Sequence, residues 1–199
     1  STAPVSVADR ILPPTPRGPP VQIIEQRAFH GEFGHPEYED NVIKIAVVGD
    51  SACGKTTYLA YLRSGMFASH LATTVCVDLV VLRLKFPEDE MRVKVLLFDV
   101  AGEQRLRLHQ PLNFMNGIEG AMMVFDPKRP ETFSSLAMWK MRMDNDFSEE
   151  YKRVVLCNKA DLVPESSRRN DIVRGWRSTS AEKLGGSMTF VSSKTGEGA

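Results

Sequence analysis

This chain has few cysteines, no excess of charge of one sign and no long apolar run. Its 199 residues include three cysteines, and 25 basic and 25 acidic residues give a formal net charge of zero. An odd number of cysteines without framework spacing indicates free thiols in a reducing compartment, so we expect a cytoplasmic protein. A balanced charge provides no basic field to attract nucleic acid. No apolar run approaches the roughly 20 residues of a transmembrane helix.

Proline is concentrated at one end of the sequence. Residues 1–40 hold seven of the 12 prolines and show no sustained helical or strand period. Because proline restricts its own backbone and the residue before it, we expect a largely disordered N-terminal extension. The alternative is that a piece of it docks on the domain or on a partner, and VQIIEQRAF (21–29) is the best candidate. His30 and His35 make a weak metal-site candidate, since neither cysteines nor helical spacing accompany them.

From residue 41 onward the pattern is that of an α/β domain. Apolar runs such as VIKIAVV (42–48) and RVVLC (153–157) predict strands. Helical stretches alternate with them, including one near 104–115 and a polar, Arg-rich helix over roughly 165–184. This alternation predicts a mostly parallel sheet with helices on both faces, and ligands bind such sheets at the carboxyl ends of the strands. The chain ends soon after its last predicted strand, where a helix would normally follow. We therefore expect a domain over 41–199 that is truncated and lacks its C-terminal helix.

A glycine-rich loop follows the first strand of this domain. GDSACGKTT (49–57) fits the pattern G-x-x-x-x-G-K-[ST], in which the glycines let backbone N–H groups curl around phosphate oxygens. The helix that follows adds the positive end of its dipole. Lys55 supplies a charge for the β- and γ-phosphates, and the Thr56 hydroxyl is a suitable Mg²⁺ ligand. The loop therefore predicts a nucleotide-phosphate site with contributions from Asp50, Ser51, Ala52, Cys53, Gly54, Lys55 and Thr56.

The sequence NKAD (158–161) predicts which base is bound. Guanine presents two donors side by side, and the Asp161 carboxylate can accept both, whereas adenine would leave it unpaired. Lys159 can lay its stem along the base, and Asn158 can tie this loop to the phosphate loop. A backbone N–H within Ser192–Lys194 can donate to the guanine carbonyl. Together these segments favour guanine over adenine.

The sequence DVAGEQ (99–104) predicts a sensor of the γ-phosphate. Asp99, at a strand end, can hold Mg²⁺ through a water. The N–H of Gly102 can reach the γ-phosphate because no side chain obstructs the approach. Thr74 can offer its hydroxyl and carbonyl to Mg²⁺ and γ-phosphate, although by itself it could simply be a β-forming residue at the start of a strand. The predicted metal ligands are thus Thr56, Thr74 and Asp99.

In order and spacing, these motifs resemble those of the Ras superfamily of small GTPases over about residues 42–198, and TVCVDL and FDVAGEQRL are most similar to the Rab branch. The resemblance implies a P-loop G domain with a six-stranded, mostly parallel sheet containing one antiparallel strand. It implies binding of GTP and GDP with Mg²⁺, and a trafficking-type switch with effector, exchange-factor and GTPase-activating partners. By position, Phe67 would pack against guanine and Thr57 would lie near the α-phosphate.

The chain departs from the family pattern at the catalytic position. Glu103 stands where the family has the glutamine that orients the attacking water, and the glutamine is displaced to Gln104. These two residues, with Lys55 and Gly102, are the catalytic candidates, and we expect slow GTP hydrolysis. The alternative is a GTP-locked adaptor subunit with negligible turnover. Membrane attachment would require a prenylated C-terminal tail, which this chain does not include.

Overall fold

The computed structural model describes residues 22–28, 41–69, 71–72, 74, 77–86, 92–102, 116–147 and 151–198. Within these ranges, seven strands form one sheet in the order β1-β3-β4-β2-β5-β6-β7. The strands are β1 Gln22–Ala28, β2 Asn41–Val48, β3 Val77–Lys85, β4 Arg92–Val100, β5 Gly120–Phe125, β6 Lys152–Cys157 and β7 Gly186–Phe190.

The strands from β2 to β7 form the mostly parallel sheet that the sequence predicted. β2 lies in the middle and pairs in parallel with β4 and β5, while β6 and β7 continue the parallel arrangement. β3 pairs antiparallel with β4. Since the parallel strands point the same way, the loops after β2, β4, β5, β6 and β7 all emerge at one edge of the sheet.

β1 is a seventh strand in addition to the six that were predicted. It comes from within the N-terminal extension, inside the 21–29 stretch considered for docking, and pairs antiparallel with β3 from Gln22↔Lys85 to Ala28↔Val80. Without β1, the outer backbone groups of β3 would form an open sheet edge, a hazard for pairing with other chains. Residues 1–21 and 29–40 lie outside the described residues, so the division at residue 41 stays a prediction.

The helices cover both faces of the sheet, as expected. They are α1 Lys55–Ser64, α2 Glu131–Ser134, α3 Leu136–Asp146 and α4 Asp171–Thr179, with 3₁₀ turns at Ala160–Leu162 and Glu165–Arg169 and a π-helical turn at Ser180–Leu184. The single helix predicted over 165–184 is wrong. Asn170 has an extended backbone, and its side-chain oxygen accepts from the Val173 N–H at 2.9 Å, which starts a new helix. The helix predicted near 104–115 lies outside the described residues.

The second half of β2, residues 45–48, is a continuous apolar run because both faces of the sheet are covered there. In β2, Ala46 and Val48 join a cluster that contains Trp139, whereas Val47 points to the opposite face, into a cluster that contains Leu59. Side chains alternate between faces along a strand, so a strand covered on both sides reads as a continuous apolar run. This two-sided core gives the loops at the carboxyl edge a fixed platform.

The described cysteines, Cys53 and Cys157, are free and buried. Burial raises the pKa of the Cys157 thiol to about 12, and burial also raises the pKa of Cys53. Both thiols therefore stay protonated and unreactive near neutral pH. Cys76 lies outside the described residues. No described helix has the length and apolar character needed to cross a membrane.

Candidate functional site

A cavity of about 500 Å³ lies at the carboxyl edge of the sheet. It brings together residues of the phosphate loop, α1, the loop before β3 and the loops that follow β4, β6 and β7. The predicted site residues that line it are Ser51, Ala52, Gly54, Lys55, Thr56, Thr57, Phe67, Thr74, Gly102, Asn158, Lys159, Asp161, Ser193 and Lys194.

Four predicted site residues in the described part of the chain do not line this cavity. Asp50, Cys53, Asp99 and Ser192 are buried behind it, each at most 9% exposed. Asp99 and Ser192 hydrogen-bond to the lining residues Thr56 and Asp161, respectively. Two of the four catalytic candidates, Glu103 and Gln104, lie outside the described residues.

The phosphate loop has the curled backbone that its glycines predict. Gly49 and Gly54 have φ values of +144° and +85°, and Ala52 has a left-handed φ of +60°. Gly49 also has no room for a side chain, because a Cβ there would lie 2.1 Å from the Val124 carbonyl oxygen. Ala52 and Lys159 are the non-glycine residues with positive φ in the described part of the chain. Such conformations cost about 1–2 kcal/mol per residue, so the surrounding contacts must hold the loop in this shape.

Side chains hold all six carbonyl oxygens of the loop from Gly49 to Gly54. A backbone whose carbonyls are engaged in this way can present its N–H groups on the opposite, concave side. Lys55 Nζ donates to Gly49 and Asp50, Arg129 Nη2 to Ser51, Lys159 Nζ to Ala52, and Asn158 Nδ2 to Cys53 and Gly54, over distances of 2.7 to 3.2 Å.

Helix α1 begins without a side-chain cap. Its N-cap residue is Gly54, no side chain bonds to the first N–H groups, and no acidic residue lies in the first turn. The first N–H groups of a helix have no partner within it and carry a partial positive charge. This helix end therefore suits an anion such as phosphate.

Gly102 lies directly against the phosphate loop. Its carbonyl oxygen accepts from the Ser51 N–H at 3.1 Å. A Cβ on Gly102 would lie 2.5 Å from Ser51 N and 2.6 Å from Lys55 Nζ. Only glycine allows this close approach to the phosphate loop.

The three predicted metal ligands converge beside the phosphate loop. Thr56 Oγ1 lies 2.8 Å from Thr74 Oγ1 and donates to Asp99 Oδ2 at 2.5 Å. Asp99 Oδ1 is buried without a hydrogen-bond partner. Burial raises the pKa of Asp99, and this outweighs the opposing hydrogen bonds from Thr56 and Thr74 and the charge of Lys55. A buried carboxylate oxygen without a partner, beside two hydroxyls, fits the oxygen ligands that Mg²⁺ prefers.

Asp161, in the loop after β6, also lines the cavity. Its Oδ1 accepts from the Ser192 hydroxyl at 2.6 Å, and the Ser192 oxygen in turn accepts from the Lys194 N–H at 3.2 Å. A backbone bond from Ala160 N to Val191 O joins the same two loops. Phe67, which is 47% exposed, is another of the lining residues.

Asp126, which follows β5, was not among the site residues predicted from the sequence. Its Oδ2 accepts from Lys159 Nζ at 2.7 Å, and its Oδ1 accepts from the Lys128 N–H at 2.9 Å. Burial opposes ionisation of Asp126, but the hydrogen bonds from Lys159 and Lys128 and the charges of Lys159 and Arg129 outweigh it and lower the pKa. Its position directly after the strand GAMMVF, at the edge that carries the other motifs, was the signal that could have revealed it.

Arg129 and Trp139 were also missed. Arg129 donates to the Ser51 carbonyl oxygen. The indole of Trp139, which is 1% exposed, donates to Asp50 Oδ1 at 3.1 Å. Each lies more than 70 positions along the chain from its partner. No local sequence pattern reports contacts over that separation.

Comparison with known proteins gives a family match over most of the chain. The model of the Ras family matches residues 44–197. The Ras-related protein Rab-7L1 of Rattus norvegicus is 31% identical over 156 residues, which cover 72% of this chain and 76% of that protein. Rab-32A of Dictyostelium discoideum is 30% identical and covers 73% of each chain. Rab-1C of the same organism is 29% identical and covers 67% of this chain and 65% of its own length.

The ionised Asp126 should stabilise the loop through Lys159. We expect Asp126→Asn to lower the free energy of unfolding by about 1–2 kcal/mol at pH 7, as for a hydrogen bond to a charged partner. Because the folded-state pKa lies below the ordinary value of 3.8, this contribution is complete above that value and is lost as the pH falls through the folded pKa. Urea unfolding from pH 7 down to the acid limit of the folded state measures the difference.

The control for this experiment is Asp171→Asn, whose side chain is 93% exposed. We expect it to change stability little. Equal stability of Asp126→Asn and wild type at pH 7, or a difference that persists below the folded pKa, would contradict the assigned ion pair.

Proposed function

The chain belongs to the Ras family, and from that premise we propose that it is a guanine-nucleotide switch with a Rab-like role. The observation that carries the proposal is a single cavity that is lined both by the phosphate loop and by Asp161. Asn158 and Lys159 bond to the phosphate loop and belong to the same turn as Asp161. The distance between the phosphate and base subsites is therefore fixed by direct contacts.

The base subsite supports guanine as the ligand. The Ser192 hydroxyl holds one oxygen of the Asp161 carboxylate, which orients the group before a ligand arrives. An oriented carboxylate accepts both the ring N–H and the exocyclic amine of guanine. Adenine offers no such pair, and an unpaired carboxylate would then oppose its binding.

Mg²⁺ belongs to the proposal because the residues present fit it. Thr56 would hold the ion directly, Asp99 would hold it through a water, and Thr74 would join only with bound GTP. When bound, the ion would offset the charge of the β- and γ-phosphates. The unpartnered Asp99 oxygen and the adjacent threonine hydroxyls are the observations that support this assignment.

The proposed role is a cytoplasmic, trafficking-type switch that recruits an effector when GTP is bound. Thr74 and Gly102 lie on the two segments that would respond to the γ-phosphate, and both line the cavity. A γ-phosphate orders such segments and its loss releases them. An exchange factor and a GTPase-activating protein would act on the same segments. Peripheral membrane attachment, where present, would depend on a C-terminal tail.

Guanine choice can be tested at Asp161. We expect wild type to bind GDP far more tightly than ADP, and we expect Asp161→Asn to weaken GDP by about 100-fold or more, since two hydrogen bonds to a charged acceptor are lost. Isothermal titration with both nucleotides measures this, with Asp171→Asn as a control that removes an exposed carboxylate. The guanine assignment fails when wild type binds ADP as well as GDP.

Slow hydrolysis is the finer part of the proposal. The family position for the water-orienting glutamine carries Glu103. Its carboxylate could accept from the water but adds negative charge beside an anionic γ-phosphate, which disfavours the attacking geometry. We propose intrinsic turnover at or below about 10⁻⁴ per second. The alternative of a GTP-locked adaptor rests on the same residue.

Exchanging the two side chains tests this proposal. We expect the double variant Glu103→Gln with Gln104→Glu to hydrolyse GTP at least about tenfold faster than wild type in single-turnover assays, because the repulsion is removed. Glu119→Gln is the control, since Glu119 is exposed just before β5, at the opposite edge of the sheet. A fast wild type, or an exchanged variant that is no faster, would show that Glu103 does not limit the reaction.

A further inference from the structure

Arg168 joins the two loops that form the base subsite, although it does not line the cavity. It lies in the 3₁₀ turn Glu165–Arg169, just after the NKAD turn. Its guanidinium forms a bidentate ion pair with the Glu197 carboxylate, in which Nη2 lies 3.0 Å from Oε2. Nη2 also donates to the Ala160 carbonyl oxygen at 3.0 Å. Its Cζ lies 4.9 Å from the centre of the Phe190 ring.

Glu197 closes the loop that begins at Ser192. The Glu197 carbonyl accepts from the Ser192 N–H at 2.9 Å, and the Gly196 N–H donates to the Ser192 carbonyl at 2.9 Å. The Ser192 hydroxyl at the base of this loop donates to Asp161. The loop that Glu197 closes therefore holds the carboxylate of the base subsite.

We propose that Arg168 and Glu197 form a positioning pair that sets the affinity and selectivity for guanine, an inference that rests on the proposed function. Arg168 fixes the backbone of Ala160, which directly precedes Asp161, and Glu197 fixes the loop of Ser192, which orients Asp161. The pair thereby fixes both the backbone that carries Asp161 and the serine that hydrogen-bonds to its carboxylate. A preorganised acceptor binds more tightly because it loses less freedom when the ligand arrives.

The pair is suited to positioning more than to global stability. The Arg168 and Glu197 side chains are 19% and 38% exposed, and ion pairs that reach solvent add little to the free energy of unfolding. The planar guanidinium of arginine can donate to both oxygens of a carboxylate, which fixes the orientation of the pair, and can donate to a carbonyl oxygen at the same time. Lysine keeps the charge but cannot make this set of bonds. Arg168→Lys therefore separates geometry from charge.

The experiment compares GDP with IDP. The base of IDP lacks the exocyclic amine that would donate a hydrogen bond to Asp161. We measure both affinities and the melting temperature for wild type, Arg168→Lys, Glu197→Gln and the double variant. We expect each single variant to weaken GDP by roughly tenfold and IDP much less, so that the GDP/IDP ratio falls. The double variant should lose no more than about the larger single effect, because the two residues act as one unit.

The matched control is Arg174→Lys, since Arg174 is 72% exposed and pairs with Asp171 on the surface of α4. It should leave the ratio unchanged. A fall in melting temperature with an unchanged GDP/IDP ratio would overturn the proposal and leave a purely structural pair. Additive single effects would also contradict it. Glu197→Gln alters a more exposed side chain and provides the test when Arg168→Lys does not fold.

The outcomes separate this inference from the proposed function. A wild type that binds ADP as well as GDP contradicts the proposed function, and the positioning role with it. A wild type that prefers GDP, with variants that keep its full GDP/IDP ratio, contradicts the positioning role alone.

Discussion

The hydrogen bonds from Asn158 and Lys159 to the phosphate loop are the contacts on which the site depends. Together they hold the carbonyl oxygens of Ala52, Cys53 and Gly54, which helps to fix the direction of the loop backbone. The Lys159 ammonium binds Ala52, so the two strained non-glycine residues contact each other. Conformations that cost about 1–2 kcal/mol each persist only where neighbouring contacts determine them, and these bonds are such contacts.

The sheet brings the two loops within reach of each other. β6 and β5 are parallel neighbours with Phe125 paired to Cys157, so the next residues, Asp126 and Asn158, emerge side by side. Asp126 then pairs with Lys159, and Arg129, three residues further along, holds Ser51. A two-sided apolar core makes these strand ends rigid. The proposed base and phosphate subsites are thus linked through a few side chains at the ends of β5 and β6.

Local sequence patterns predicted the parts of the site that form locally. The phosphate loop, the NKAD turn and the six strands of the mostly parallel sheet each depend on residue types at short, fixed spacing. The pairing of β1 with β3 was not predicted, because it joins residues more than 50 positions apart. In addition, β1 lies in a proline-rich segment, which gives little strand signal. The break at Asn170 was not predicted. The Asn170 side chain caps the start of a new helix, so the preceding turn does not continue into it. Contacts such as Trp139 with Asp50 depend on tertiary packing alone.

Under the proposed function, one cavity binds guanine through Asp161 and phosphate through the loop that Asn158 and Lys159 hold. This can be tested by purifying the protein, denaturing it and identifying the released nucleotide by chromatography. We expect GDP or GTP in amounts comparable to the protein. An adenine nucleotide in that amount would contradict the proposed guanine site.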